Sequence, residues 1–205
     1  MERQDLDERT QRVLAASFFG ALPPEALDRL LASAVLVDVP AGGIVYRPED
    51  SPRGALVVDG LIRVFITAVD GRQLTARYAR AGEQLGAMTV VHGPVPLSAQ
   101  AVTDTSLLMF SATLLRQLAQ TDVRVAWPLT EEMAQAVDIA VDALAGVAFG
   151  SVRQRVARPL LDLATPGQRP SQLMTGVNQK AVSDAVGTSR EVVARTRRPI
   201  SCPRG

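Results

Sequence analysis

From Val35 to Ser111, short runs rich in Val, Ile, Leu and Tyr alternate with turn signals. The signals fall at Ala41-Gly42-Gly43, Pro52-Arg53-Gly54, Asp59-Gly60, Asp70-Gly71, Ala81-Gly82, His92-Gly93-Pro94 and Thr103-Asp104. A strand roughly every ten residues is the rhythm of an antiparallel barrel or jelly roll. Asp59-Gly60 and Asp70-Gly71 are the strongest hairpin signals, since both central positions of a type I′ turn take positive φ. His92 falls in a Gly-Pro stretch and reads as a surface loop residue.

The flanks follow a different period. Arg9 to Phe19 and Pro24 to Ala34 read as short helices, the second with a first-turn proline and an apolar face of Leu27, Leu30 and Leu31. After Ser111 a short helix through Leu114, Leu115 and Leu118 leads into a long one from about Pro128 to Phe149. There Met133, Val137, Ala140, Leu144 and Val147 repeat as a heptad seam, with Glu132 and Asp138 off it. Such a seam packs either on its own barrel or against an identical helix. Its alanines make it narrow, which suits pairing.

Gly150 breaks that helix, and Ser151 with Gln154 forms a capping box for the next, through Val156, Leu160, Leu161 and Leu163, with Pro159 awkwardly inside. A Pro/Gly/Gln loop from Thr165 to Ser171 follows. The charge changes sign at this hinge. From Gly150 onward ten basic residues stand against Asp162, Asp184 and Glu191, a net of +7, and the first 149 residues carry −6. A basic rear module points to a polyanionic partner.

The rear module holds NQKAVSDAVGTSREVVAR, Asn178 to Arg195. Asn178 is a good N-cap, Ala181, Val182, Ala185 and Val186 form a small apolar face, Gly187 supplies a turn, and Thr188 with Glu191 caps a second helix. Two short helices around a glycine turn make a helix-turn-helix, whose second helix meets base edges through its N-terminal residues. Those residues are Thr188, Ser189, Arg190 and Glu191, with Arg195 one turn further along. Arginine bonds guanine bidentately, glutamate accepts from cytosine N4, and Ser189 suits a phosphate.

Composition closes other routes. The single Cys202 excludes a disulfide framework, a thiolate zinc cluster and an iron-sulfur centre. No paired carboxylates, nucleophile-base set or metal cluster appears, so neither an enzyme nor a metal or cofactor protein is expected. The polar start, Met1 to Thr10, and the lack of an eighteen-residue apolar run predict a cytoplasmic protein without membrane contact.

Strand-rich front, long helix, Phe149-Gly150-Ser151 hinge, the RVARPLLDLA helix and AVSDAVGTSREVVAR together resemble the cyclic-AMP receptor protein and FNR superfamily of bacterial transcription regulators. The resemblance implies an α+β chain in three parts. These are an effector-binding double-stranded β-helix (jelly roll) over 1–120, a dimerisation helix over 121–149 and an incomplete helix-turn-helix domain over 150–205. It implies a homodimer on a palindromic DNA operator, with RNA polymerase as a further partner, and matches Arg190, Glu191 and Arg195 to the family's DNA-contacting residues.

Departures narrow the effector. In GEQLGAMTVVHGPVPLSAQ, Gly82, Glu83, Gly86 and Ser98 match the cyclic-nucleotide members, but Ala87 stands at the ribose glutamate position and Leu97 at the phosphate arginine position. Ala140 and Val141 replace the helix hydroxyls. A buried cyclic phosphate would lose a charge-assisted pair of roughly 1.5 to 3 kcal/mol, so the expected effector is not cyclic AMP. What remains is an apolar pocket around Leu85, Met88, Val90, Leu97 and Ala140, for a hydrophobic small molecule or none.

The family also continues the recognition helix and adds a two-stranded wing. Here Arg195 is followed by TRRPISCPRG, where Pro199 and Pro203 forbid regular structure. A truncated or frameshifted end without a wing is expected, with Arg195, Arg197, Arg198 and Arg204 adding nonspecific phosphate attraction. The alternative reading is a dimeric ligand-binding or protein-interaction module that has lost specific DNA binding.

Overall fold

Two four-stranded sheets account for the turn rhythm, and the chain passes repeatedly from one to the other. The computed structural model describes residues 3–51, 53–149, 165–166 and 173–174. The strands are β1 (Val35–Val39), β2 (Ile44–Tyr46), β3 (Arg53–Asp59), β4 (Leu61–Thr67), β5 (Gln73–Arg80), β6 (Gln84–Leu85), β7 (Ser98–Ala101) and β8 (Thr105–Ser111). One sheet has the order β1-β8-β3-β6 and the other β2-β7-β4-β5, an interleaving that makes a jelly roll. The pairs β1–β8, β8–β3, β3–β6 and β2–β7 are antiparallel.

Register sorts the side chains. Val35, Met109, Ala55 and Leu85 stand opposite one another across four strands, and Val37, Leu107 and Val57 form the next row. Alternation puts these rows on one face and Leu36, Leu108 and Leu56 on the other. Accordingly Ala55, Val57, Leu85 and Leu107 join Ile62, Val64, Ala79, Ala99 and Ala101 in a core inside the roll. Leu56, Val58, Leu108 and Phe110 belong to a second core beneath the helices.

Those helices are α1 (Glu8–Ala16), α2 (Pro24–Ala32), α3 (Ala87–His92), α4 (Ala112–Thr121) and α5 (Val123–Phe149). Asp7 caps α1 through Thr10 N at 2.6 Å, and Ser111 caps α4 through Leu114 N at 3.1 Å. The segment after α1 tightens into a 3-10 turn, Phe18–Ala21, rather than staying helical to Phe19. There Phe19 stands edge-on to Phe18 and to Phe110 of β8, with centroids 5.2 and 5.0 Å away. Leu30, Leu31, Leu115 and Val125, all 1% exposed or less, complete this core.

Three expectations are corrected. Asp59-Gly60 is not a hairpin, because β3 and β4 lie in different sheets and Gly60 alone joins them. Its φ of +93° and the 2.4 Å from a built Cβ to Thr105 Oγ1 admit only glycine. Asp70-Gly71 does turn a hairpin, but no residue other than glycine has positive φ among those described. Gly71 N donates to Ala68 O at 2.9 Å and Ala68 N to Arg72 O at 2.8 Å, so the loop is a three-residue one closed by the glycine. Finally, α5 begins at Val123, with Pro128 inside it. Asp122 starts it, accepting from Arg124 N at 2.8 Å, and the missing N–H of Pro128 falls on the second turn.

By contact density one compact unit comprises Met1–Val64 with Ala79–Ile139, and a second comprises Phe65–Tyr78 with Ala140–Gly205. In the second, the stretch read as a loop contains a short antiparallel pair, β9 (Thr165–Pro166) with β10 (Leu173–Met174). The helices proposed for 150–164 and 178–195 lie outside the described residues.

Candidate effector site and dimer helix

The turn, strand and helix from Ala81 to His92 organise the effector residues. Glu83 N donates to Arg80 O at 2.9 Å, closing the turn, and Gly82 N and Glu83 O hold Val57 of β3 at 2.9 and 3.0 Å. Gly86 then reverses the chain at φ +87°, where a Cβ would stand 2.6 Å from Arg53 O. This close approach needs glycine. Val90 N donates to Gly86 O at 3.0 Å and α3 begins. A strand or loop was expected here. Arg116 of α4 donates to the carbonyls of Thr89 and Val90 in the last turn of α3.

The proposed pocket residues separate. Leu85 is buried inside the roll and Leu97 packs against the same core. Val90, 0% exposed, belongs instead to the core under the helices, and Ala87 packs against that core too. Met88 is 45% exposed. Gly82, Glu83, Gly86 and Ser98 are half-buried, and His92 is exposed at the end of α3. What the site offers is therefore a half-buried rim of Gly82, Glu83, Gly86, Ala87, Leu97 and Ser98 beside an apolar core. The interior rows reach the edge strand β1, where Val35 is 59% exposed. Sequence periodicity missed this division because residues 85 to 90 straddle a strand-to-helix change.

On α5 the seam residues Val137, Ala140 and Leu144 are exposed and Met133 is half-buried. Exposed residues also repeat in a heptad pattern as Val123, Trp127, Thr130, Ala134, Val137, Val141 and Leu144. This line runs along most of the helix and shares Val137 and Leu144 with the seam read from sequence. At its start Arg124 reaches Asp122 at 2.7 Å and Glu25 of α2 at 2.9 Å. The guanidinium holds the Asp122 carboxyl below its ordinary range, chiefly through its side-chain hydrogen bond. Glu25 is lowered first by its own backbone N–H and then by Arg124.

The residues expected to face DNA, Thr188, Ser189, Arg190, Glu191 and Arg195, lie outside the described residues, as does the side chain of Val147. Among the described residues no group of three or more His, Cys, Asp or Glu is placed to hold a metal, and no helix is long and apolar enough to cross a membrane.

A jelly roll with flanking helices and a long helix leaving it defines the class of cyclic-nucleotide-binding-like domains. Residues 36–122 match the family model "Cyclic nucleotide-binding domain". The chain is 31% identical over 183 residues to the cyclic AMP receptor protein of Thermus thermophilus, spanning 86% of this chain and 82% of the relative. It is 24% identical over 157 residues to the cAMP-activated global transcriptional regulator CRP of Salmonella typhimurium, covering 74% and 75%. The fold is shared with the c-di-GMP responsive global regulator CLP of Xanthomonas campestris, with a TM-score of 0.68, 23% identity and coverage of 85% and 89%. It is shared also with a Crp/Fnr-family regulator of Eubacterium rectale, with a TM-score of 0.69, 17% identity and coverage of 95% and 83%. The chain belongs to the CRP/FNR family of transcription regulators.

Proposed function

We propose that the protein is a homodimeric, DNA-binding transcription regulator. Its affinity for a palindromic operator is set by a small effector at the rim formed by Gly82, Glu83, Gly86, Ala87, Leu97 and Ser98. The observation that carries this reading is α5, which leaves a cyclic-nucleotide-binding-like roll with an apolar heptad line exposed over most of its length. An apolar line of that length on a single chain is costly in water and suits a second copy. The effector is not cyclic AMP. Ala87 and Leu97 offer neither a carboxylate nor a guanidinium, and both pack against apolar cores. Effector binding shifts the population of dimer-helix packings, and with it the spacing of the helices that carry Arg190, Glu191 and Arg195.

Selection from a random duplex library followed by mobility shift tests this. A palindromic sequence bound in preference to a scrambled duplex, with binding lost in Arg190→Ala, is expected. Equal binding to both duplexes, or no loss in the variant, removes the reading. Cyclic AMP should leave both affinity and thermal midpoint unchanged.

A further inference from the structure

The sheet β1-β8-β3-β6 ends at β1, and no described strand pairs with the free side of β1. Against β8 the strand is regular, with five consecutive pairs from Val35–Met109 to Val39–Thr105 and no bulge. Three consecutive apolar residues are left open to water, Val35 at 59%, Leu36 at 43% and Val37 at 36%. None of the three belongs to either core.

The other edges of the two four-stranded sheets are guarded. β6 has two residues, β2 has three with a register break between Ile44 and Tyr46, and β5 carries Thr75, Arg77 and Arg80. Short length, irregularity and charge are the ordinary protections against strand addition. The one charge on β1, Asp38, is engaged within its own sheet, because its carboxylate accepts from the Ser106 hydroxyl of β8. A regular, apolar, unguarded edge is a template for another strand.

The strand is complementary to itself. A twofold axis normal to the sheet pairs two antiparallel copies of β1 and keeps each face on its own side, so only residues of like parity oppose. Centred on Leu36, this register sets Leu36 against Leu36 of the second copy and Val35 against its Val37. The two Asp38 carboxylates then stand four residues apart along the ladder, roughly 13 Å, beyond a Debye length. Centring on Val37 instead sets each Asp38 against a leucine and brings the two carboxylates closer. With its one charge already engaged, the edge needs no complement beyond its own copy. Three half-exposed side chains cover far less than the roughly 800 Å² per partner of a stable complex. The contact is therefore too small to join two lone copies and acts on copies already joined. We propose that β1 pairs with β1 of a second copy and so links α5 dimers into a dimer of dimers, the dimer itself resting on the α5 reading above.

Sedimentation velocity of the full chain over a rising concentration series tests the pairing. A dimer–tetramer equilibrium is expected in the wild type. Leu36→Lys sets like charges directly opposite each other and should raise the tetramer dissociation constant roughly tenfold or more, at an unchanged thermal midpoint. Mixing Leu36→Lys with Leu36→Glu should restore the tetramer that each variant alone has lost, a rescue that a role in folding alone would not give. A tetramer that falls to monomers in Leu36→Lys supports β1 pairing and removes the α5 dimer instead. Three results overturn the pairing: a wild type that stays dimeric or monomeric at every concentration, a tetramer unmoved by Leu36→Lys, or mixed variants that do not reassociate.

Discussion

Arg116 of α4 holds the main-chain carbonyl of Val90 through its Nε, and its Nη2 lies 3.3 Å from the carbonyl of Thr89. One guanidinium thereby closes the end of a six-residue helix 26 positions earlier in the chain. Arg116→Leu strands the partly buried Val90 carbonyl, while the Thr89 carbonyl keeps the Gly93 N–H at 3.1 Å, and should cost about 1–3 kcal/mol by urea denaturation. Hydrogen exchange at Val91 to Gly93 should accelerate more than exchange in β8. Uniform acceleration would mean that the arginine stabilises the fold without fixing α3.

Gly86 carries a second demand on the same segment. Gly86→Ala meets both the positive φ and the backbone of Arg53, and should destabilise by more than about 2 kcal/mol. Gly82→Ala shares the positive φ, but its Cβ would meet nothing within 4 Å. Its expected cost is therefore near 1 kcal/mol. Equal losses in chemical denaturation would show that contact with Arg53 contributes nothing.

Trp127 is the one tryptophan of the chain and is 63% exposed on the apolar line of α5. If a second copy covers that line, its emission should shift to shorter wavelength as protein concentration rises through the dimer dissociation constant. Val137→Glu should abolish the shift and give a monomer by sedimentation. A concentration-independent spectrum in a proven dimer would place the interface elsewhere on the helix.

Acid should loosen the joint between α4 and α5. Asp122 and Glu25 have carboxyl pKa values below their ordinary ranges. Their contribution is therefore present above the unfolded-state values and disappears as pH falls through the folded ones. Thermal midpoints should decline below about pH 4, and Asp122→Asn should flatten part of that decline, modestly because the pair is exposed. A variant with the wild-type acid profile would assign the decline to other carboxylates, such as Asp7, held low by the Thr10 backbone N–H.

Much of this architecture is readable from local pattern, because strand rhythm and glycine turns are local properties. The turn glycines 42, 60, 71, 82 and 93 all adopt positive φ. Pairing is not local. Nothing around Asp59-Gly60 says that β4 will leave β3 for another sheet, since that depends on β8 and β7 many residues away. Likewise α3 meets Arg116 only through the fold, and the sorting of Leu85 and Val90 into different cores depends on register with Ala55. At α5 the proline at 128 hid a start that Asp122 provides.

The one-residue passage at Gly60 leaves the roll with no slack where its two sheets meet. Asp59 is in register with Ser106, and Leu61 N donates to Thr103 Oγ1 at 3.1 Å. A residue inserted there would throw β3 and β4 out of step with their neighbours together. The loop at Val69 to Gly71, whose Val69 side chain is wholly exposed, has no such constraint. Length variation, epitope tags and reporter insertions therefore belong at the second turn and not at the first.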